Sequence, residues 1–141
     1  MLKSTWEFKV RFAETDAAGI VYYPNFYKWM DQATQEMFEA IGFPSRKMLD
    51  EGKGTPLIEA FCRFRVPLYV GDRIRVESEI TEIRNRAFRV THTFYRGGTL
   101  VAEGYEVHAW VEFDNGKLTA VPIPDALRKL MMAEETGAKT V

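Results

Sequence analysis

Thr15-Asp16-Ala17-Ala18-Gly19-Ile20-Val21-Tyr22-Tyr23-Pro24-Asn25-Phe26 is the stretch on which the reading of this chain turns. Before it, Trp6, Phe8, Val10 and Phe12 alternate with Glu7, Lys9 and Arg11. That period of two describes a strand with one buried face. After it, Pro24 suits the first position of a helix, where its missing N–H has no partner to lose. From there Phe26, Met30, Ala33, Met37 and Ile41 recur at spacings of three and four, and Trp29 and Ala40 widen the stripe. Lys28, Gln32, Glu36 and Glu39 face away, so the segment reads as an amphipathic helix of about four to five turns. A strand, a small-residue turn and a long helix therefore follow one another, with one carboxylate, Asp16, next to the helix start. A carboxylate can serve as base or nucleophile, and free backbone N–H groups can hold a developing oxyanion. The pattern fits an acyl-transfer site; it also fits an Asp that does no more than cap its own turn.

Composition bounds the remaining possibilities. A chain of 141 residues is long enough for one domain with a real core. A net charge of -1 gives no argument for a nucleic-acid partner. Cys62 is the only cysteine, which excludes an intrachain disulfide. His92 and His108 lie apart and offer no metal-ligand spacing. No apolar run approaches the roughly 20 residues of a membrane span, and residues 1–6 lack the apolar centre of a signal peptide. The expectation is a cytoplasmic protein with no membrane segment.

Beyond the helix, residues 45–53 read as a short second helix and most of the rest as strands. Residues 56–66 carry Cys62, Phe64 and Val66 on one face. Ile74, Val76 and Ile80 alternate with Arg75, Glu77, Glu79 and Thr81, and after residues 84–86 come Phe88, Val90 and Phe94. Gly97-Gly98 marks a hairpin. Residues 101–113 read as one long strand, and Asn115-Gly116 is a type I′ turn signal leading into residues 117–121. Residues 124–132 form a terminal helix, and the polar tail 134–141 is expected to fray. A strand, a long helix and four or five consecutive antiparallel strands make an α+β layer design. Ala102, Gly104 and Trp110 oppose Tyr105 and Val107, which points to burial on both sheet faces and hence to a homo-oligomer.

The stretch 15–26 resembles, nearly residue for residue, the active-site segment of the 4-hydroxybenzoyl-CoA thioesterase family of hot-dog proteins. The resemblance runs from residue 8 to about residue 130. It is strongest over 16–31, then at Gly54-Thr55-Pro56-Leu57, then over 83–88. It implies a hot-dog fold, an antiparallel sheet wrapped around the long helix, in a single domain spanning 1–141. It implies an acyl-CoA thioester hydrolase without metal or bound cofactor, assembled as a dimer or dimer of dimers, with Asp16 working beside a neighbour's residues. By the match, Asp16 is the catalytic carboxylate, as nucleophile or as base for water, and the Tyr23 N–H polarises the thioester carbonyl. Gly19 and Ile20 shape the site, and Tyr22, Tyr23 and Tyr27 line an aryl pocket. Thr55 hydrogen-bonds in the site, and Arg84 and Arg86 meet the coenzyme A phosphates through the guanidinium fork. Family members acting on short aliphatic thioesters often carry a histidine where this chain has Pro24, so the acyl group is expected to be aromatic, of benzoyl or hydroxybenzoyl type. Lys53, Arg63 and Arg65 are weaker phosphate candidates. Asp31 reads as a solvated acid, Cys62 as a packed thiol, and His92 and His108 as structural. The alternatives are a thioesterase for short aliphatic acyl-CoA and a non-catalytic acyl-CoA binding protein. A hot-dog hydratase would need a histidine near the helix start, and none precedes His92.

Overall fold

The N-terminal alternation forms β1 (Lys3–Lys9) and leads through a 3₁₀ turn (Phe12–Glu14) into the long helix α1 (Pro24–Ala40). The computed structural model describes residues 1–133, so the expected fraying of residues 134–141 lies outside the described residues. After α1 come α2 (Ser45–Asp50), β2 (Lys53–Gly54), β3 (Leu57–Phe64), β4 (Arg73–Ile83), β5 (Ala87–Arg96), β6 (Thr99–Ala109), β7 (Val111–Asp114), β8 (Lys117–Ala120) and α3 (Asp125–Met132). Five strands form one antiparallel sheet in the order β1-β4-β5-β6-β3, and β2, β7 and β8 form a second, small sheet. Helix α1 touches both edge strands of the large sheet, β1 and β3, and also β4 and β6 within it. The sheet thus curls around the helix, which is the hot-dog arrangement.

The apolar stripe of α1 is buried as its spacing requires, through Phe26, Trp29, Met30, Ala33, Met37 and Phe38. Phe38, rather than Ala40, completes its width. The helix stops at a Schellman motif: the Phe43 N–H donates to Phe38 O at 2.8 Å and the Gly42 N–H to Glu39 O at 3.1 Å. Two strand readings and one helix reading change. The expected long strand 101–113 divides at Trp110, whose N–H donates to Arg86 O (2.8 Å) and whose carbonyl accepts from the Val121 N–H (3.0 Å). These bonds draw the chain out of the large sheet and begin β7. The strand expected over 56–66 ends at Phe64, because the Arg65 and Val66 N–H groups both turn to Val101 O. The second helix is shorter than expected and closes at Asp50. Asn115 does adopt positive φ (50°) in the β7–β8 hairpin.

The core has two apolar clusters. One joins Phe26, Met30 and Ala33 of α1 to Ile74, Val76, Phe94 and Ala102. The other joins Met37 and Phe38 to Ile80, Phe88, Val90 and Trp110. Between them Thr34, Ser78, His92, Glu106 and His108 form a buried polar layer. Gly104 lies beside it, on β6, where β6 meets β3. A Cβ on Gly104 would sit 2.2 Å from Phe61 O and 2.9 Å from Cys62 Cα, both backbone atoms with nowhere to yield. Overpacking a close-packed interior costs about 1–3 kcal/mol and occasionally more. Gly104→Ala is expected at or above the upper end of that range, read as a lower urea midpoint. An unchanged midpoint would mean that β3 and β6 are not held at this separation.

Candidate active site

The loop between β1 and α1 closes on itself. Thr15 and Val21 form an antiparallel bridge, the Asp16 N–H donates to Ile20 O (2.9 Å), and the Gly19 N–H returns to Asp16 O (2.9 Å). Gly19 takes φ +83° with nothing within 4 Å of a would-be Cβ, so its role is conformational rather than steric. The Asp16 side chain is exposed, and its Oδ1 accepts the Ala18 N–H at 2.9 Å. The turn-capping role is therefore real, but it occupies one oxygen only; Oδ2 has no partner among the described residues.

On the other limb of the loop the Tyr22 N–H donates to Glu14 O (2.8 Å), the Asn25 N–H to Tyr22 O and the Phe26 N–H to Tyr23 O (both 3.0 Å). Pro24 has no N–H. The Tyr23 N–H donates to no group among the described residues. It is left open at the positive end of the α1 macrodipole. One loop thus carries a carboxylate oxygen and a backbone donor that are both free.

Glu14 anchors this loop, a role the sequence reading missed. Its Oε1 accepts the Arg11 N–H (2.7 Å), its Oε2 accepts Trp29 Nε1–H (3.1 Å), and its carbonyl accepts both the Tyr22 N–H and the Asn25 side-chain amide (2.9 Å). The signal was available: a Trp and an Asn sit on the buried side of a helix otherwise filled with apolar residues, and both need a polar partner.

Ile20 and Tyr23 line a cleft of about 270 Å³ with Val21, Phe26, Phe64 and Leu68. Phe64 is its aromatic centre, edge-on to Tyr23, Phe26 and Tyr27 at ring distances of 5.9, 5.0 and 6.5 Å. Tyr22 is exposed and meets Tyr23 edge-on. Burial pushes the Cys62 thiol up to about 12, with Glu103 adding to the effect, so it remains a packed thiol.

The remaining expected site residues stand elsewhere. Thr55 belongs to a second cleft of about 210 Å³ with Asp31, Thr34, Phe38, Met48 and His108. Residues 84–86 turn between β4 and β5, beside the second apolar cluster and so at the far end of α1. Arg84 Nε is bound to Glu82 Oε2 at 2.8 Å, whereas the exposed Arg86 side chain has no partner among the described residues. Arg128 Nη2 ties down the turn through the carbonyls of Arg84 and Asn85 (3.0 and 3.1 Å). Helix α1 is 17 residues long, about 26 Å at about 1.5 Å per residue. Within one chain, then, Asp16 and Tyr23 share one loop, and Thr55, Arg84 and Arg86 lie off it.

His92 and His108, distant in sequence, meet at Glu106. Glu106 Oε1 accepts Thr34 Oγ1–H at 3.0 Å and lies 3.1 Å from His108 Nε2 and 3.4 Å from His92 Nε2. Burial would raise the Glu106 carboxyl, but hydrogen bonds from His108 and His92 outweigh it and hold the group at about 2. Burial lowers His92. It would lower His108 as well, but the Glu106 carboxylate reverses that and raises it. Asp31 is not the freely solvated acid that its helical angle implied. It is half-buried, and one of its oxygens comes within 4.8 Å of ligating atoms of Glu106 and His108.

Comparison with known proteins places the chain. Residues 10–131 match the model of the thioesterase-like superfamily. A 1,4-dihydroxy-2-naphthoyl-CoA hydrolase of Thermosynechococcus vestitus is 36% identical over 120 residues, 84% of this chain and 81% of that protein. The structure of a gentisyl-coenzyme A thioesterase superposes with TM-score 0.83 at 39% identity, covering 89% of this chain and 99% of the other. A 4-hydroxybenzoyl-CoA thioesterase, solved as an Asp-to-Asn variant with 4-hydroxybenzoyl-CoA, superposes with TM-score 0.83 at 26% identity, covering 92% of this chain and 98% of that one. With the helix-wrapping sheet and the loop already described, these matches make the chain a member of the thioesterase-like superfamily of hot-dog proteins.

Proposed function

We propose that this protein hydrolyses an aromatic acyl-CoA thioester, releasing the free acid and coenzyme A. The observation that carries the reading is the pairing of an open carboxylate oxygen on Asp16 with an open N–H on Tyr23, on one loop at the N-terminus of α1. The thioester carbonyl oxygen accepts from the Tyr23 N–H and from the dipole of the helix end, which stabilise the charge that develops as the carbon is attacked. Asp16 either attacks that carbon, giving a mixed anhydride that water then opens, or takes a proton from the attacking water. In both cases the C–S bond breaks and the thiolate leaves as coenzyme A.

Asp16→Asn keeps the turn-capping oxygen and removes the open anionic one. Turnover is expected to fall by about 100-fold or more, the usual size of a lost base. The thermal midpoint should stay near wild type. Thiol release close to the wild-type rate would refute the mechanism.

The aromatic preference rests on the cleft around Phe64, lined by Ile20, Tyr23 and Phe26, and on the relatives' naphthoyl, gentisyl and hydroxybenzoyl substrates. A well-placed ring contact contributes about 0.5–1.5 kcal/mol beyond area burial. That is roughly a 2- to 13-fold preference per contact. A hydrolysis panel should give benzoyl-CoA and its hydroxylated forms a higher kcat/KM than acetyl- or butyryl-CoA. The reverse order would move the enzyme to short aliphatic thioesters and leave the chemistry at Asp16 intact.

Coenzyme A carries several phosphate charges, and the turn at residues 84–86 offers Arg86 unpaired, with Arg84 held by Glu82. That turn lies at the opposite end of α1 from Asp16. Strand β3 leaves Leu57, Ile58, Phe61 and Phe64 each more than 40% exposed on an edge of the large sheet. Both facts support a homo-oligomer in which one chain's arginines and Thr55 serve its neighbour's Asp16. The double variant Arg84→Ala, Arg86→Ala should raise KM for a full coenzyme A thioester several-fold and leave a truncated pantetheine thioester unaffected, as lost remote binding does. Equal effects on both thioesters would remove these arginines from phosphate recognition.

A further inference from the structure

His108 joins the polar layer to the segment that carries Thr55. Its Nδ1 lies 2.9 Å from Thr55 O. A carbonyl only accepts, so Nδ1 holds a proton and donates it. Its Nε2 lies 3.1 Å from Glu106 Oε1. That contact needs a second proton, and an imidazolium against a carboxylate satisfies both contacts at once. Removing the second proton sets a nitrogen lone pair against an anionic oxygen in a buried layer, where nothing screens the repulsion.

Every element packed against His108 bears on that proton. On β6, Glu106 shares it. From α1, Asp31 brings a carboxylate oxygen within 4.8 Å of the ring and of Glu106, and Thr34 donates its hydroxyl to Glu106 Oε1. From β5, Phe88 stacks on the ring at 5.2 Å, and His92 Nε2 lies 3.4 Å from the same Glu106 oxygen. Burial disfavours charge on His108, but the hydrogen bond and charge of Glu106, the Thr55 carbonyl and the charge of Asp31 outweigh it and raise the group above its ordinary value. Burial lowers His92, which keeps the second ring neutral.

The proton matters because of what the ring holds. Thr55 lies between β2 and β3, and its carbonyl is bound by His108. The next carbonyl, that of Pro56, accepts the Ala109 N–H at 2.9 Å. Through Glu106 and Thr34 the same ring is tied to the middle of α1. The protonated ring therefore sets where Thr55 stands relative to Asp31, with which it shares a cleft.

We propose that His108 is a positioning residue of the thioester site and works in its protonated form, through Thr55. The inference rests on the proposed hydrolysis, in which Thr55 of one chain serves its neighbour's Asp16. Asp16 has to be ionised in either mechanism, so it limits hydrolysis on the acidic side only. The His108 proton adds an alkaline limit: the site is assembled while the ring is charged and loosens as rising pH removes the charge.

The test is the pH profile of kcat/KM for an aromatic acyl-CoA, with uncatalysed thiol release subtracted, alongside nitrogen-15 NMR of the two imidazole rings. At pH 6.5, the ordinary midpoint of the group, both nitrogens of His108 should read as protonated and His92 as a neutral ring. Wild-type kcat/KM should fall on the alkaline side as His108 loses that signature. Glu106→Gln keeps an acceptor and removes the charge. An opposite charge at this range shifts a group by about 1–3 pH units, so the alkaline limb of Glu106→Gln should move down by about one unit or more. His108→Gln should have no such limb and a several-fold lower kcat/KM at neutral pH. A role in folding alone would lower the active fraction without moving the limb. A bare nitrogen on His108 at pH 6.5, or a limb that Glu106→Gln leaves in place, would overturn the proposal. The NMR reading is made on wild type and stands even where a variant does not fold. Failure of the thioester reading shows separately, as hydrolysis retained by Asp16→Asn.

Discussion

Glu106 Oε1 sets the relation of helix to sheet. It accepts the Thr34 hydroxyl from α1 and lies against His108 of its own strand and His92 of β5, while His92 Nδ1 meets Ser78 Oγ of β4 at 2.7 Å. Three elements therefore meet at one buried carboxylate, and β4 joins them through His92. Hydrophobic burial is non-directional, so the apolar stripe of α1 alone would tolerate some sliding and rotation over the sheet. A hydroxyl that must reach one oxygen at 3.0 Å does not. Removing one partner from a buried charged network typically costs about 3–5 kcal/mol, because the others are left uncompensated. The polar layer thus fixes the register of α1, and through it the position of the helix N-terminus at which the Asp16 loop ends.

That fixed terminus makes the loop functional. The apolar cluster on the Asp16 side holds Trp29 against Phe8 and Phe26 at ring distances of 4.5 and 5.1 Å. The indole N–H of Trp29 then reaches Glu14, which in turn holds Arg11, Tyr22 and Asn25. A nine-residue loop, 15–23, between a strand and a helix would ordinarily be mobile. Here it is tied at its start by Glu14, bridged at Thr15 and Val21, and closed by Val21 N–H to Leu68 O at 2.8 Å. The Tyr23 N–H stays open because Tyr23 is the N-cap of α1, where no preceding turn supplies a carbonyl and no side chain caps the helix.

Much of this was legible in sequence because it depends on periodicity. The apolar residues at three- and four-residue spacing in α1, the alternation in β4 and β5, and the Asn115-Gly116 turn are local patterns with local causes. The polar layer was not legible as a unit. Thr34, Ser78, His92 and Glu106 each sit on a buried face that is otherwise apolar, and each alone reads as a tolerated exception. Only their meeting across four elements gives them a common purpose. The long strand 101–113 was misread for a similar reason. Its alternation continues unbroken through Trp110, and the bonds that divide it come from Arg86 and Val121, remote in sequence. The separation of Thr55, Arg84 and Arg86 from Asp16 is likewise a property of the folded chain, since Thr55 lies beside the middle of α1 and the two arginines at its far end.

Three carboxylates show how environment assigns chemistry to one functional group. Glu14 has both oxygens bound by donors of its own chain, so it can only hold structure. Glu106 has a free oxygen, but the residue is fully buried, and an acyl group cannot approach it. Asp16 has a free oxygen and an exposed side chain, on the same loop as a backbone donor left open at the uncapped start of α1. An attacking carboxylate needs three conditions together: an unshared oxygen, room for a carbonyl carbon, and a donor for the oxyanion that attack creates. Among these three acids, Asp16 alone meets the first two and has an open backbone donor on its own loop, and it does so because Gly19, Pro24 and Glu14 shape the loop around it.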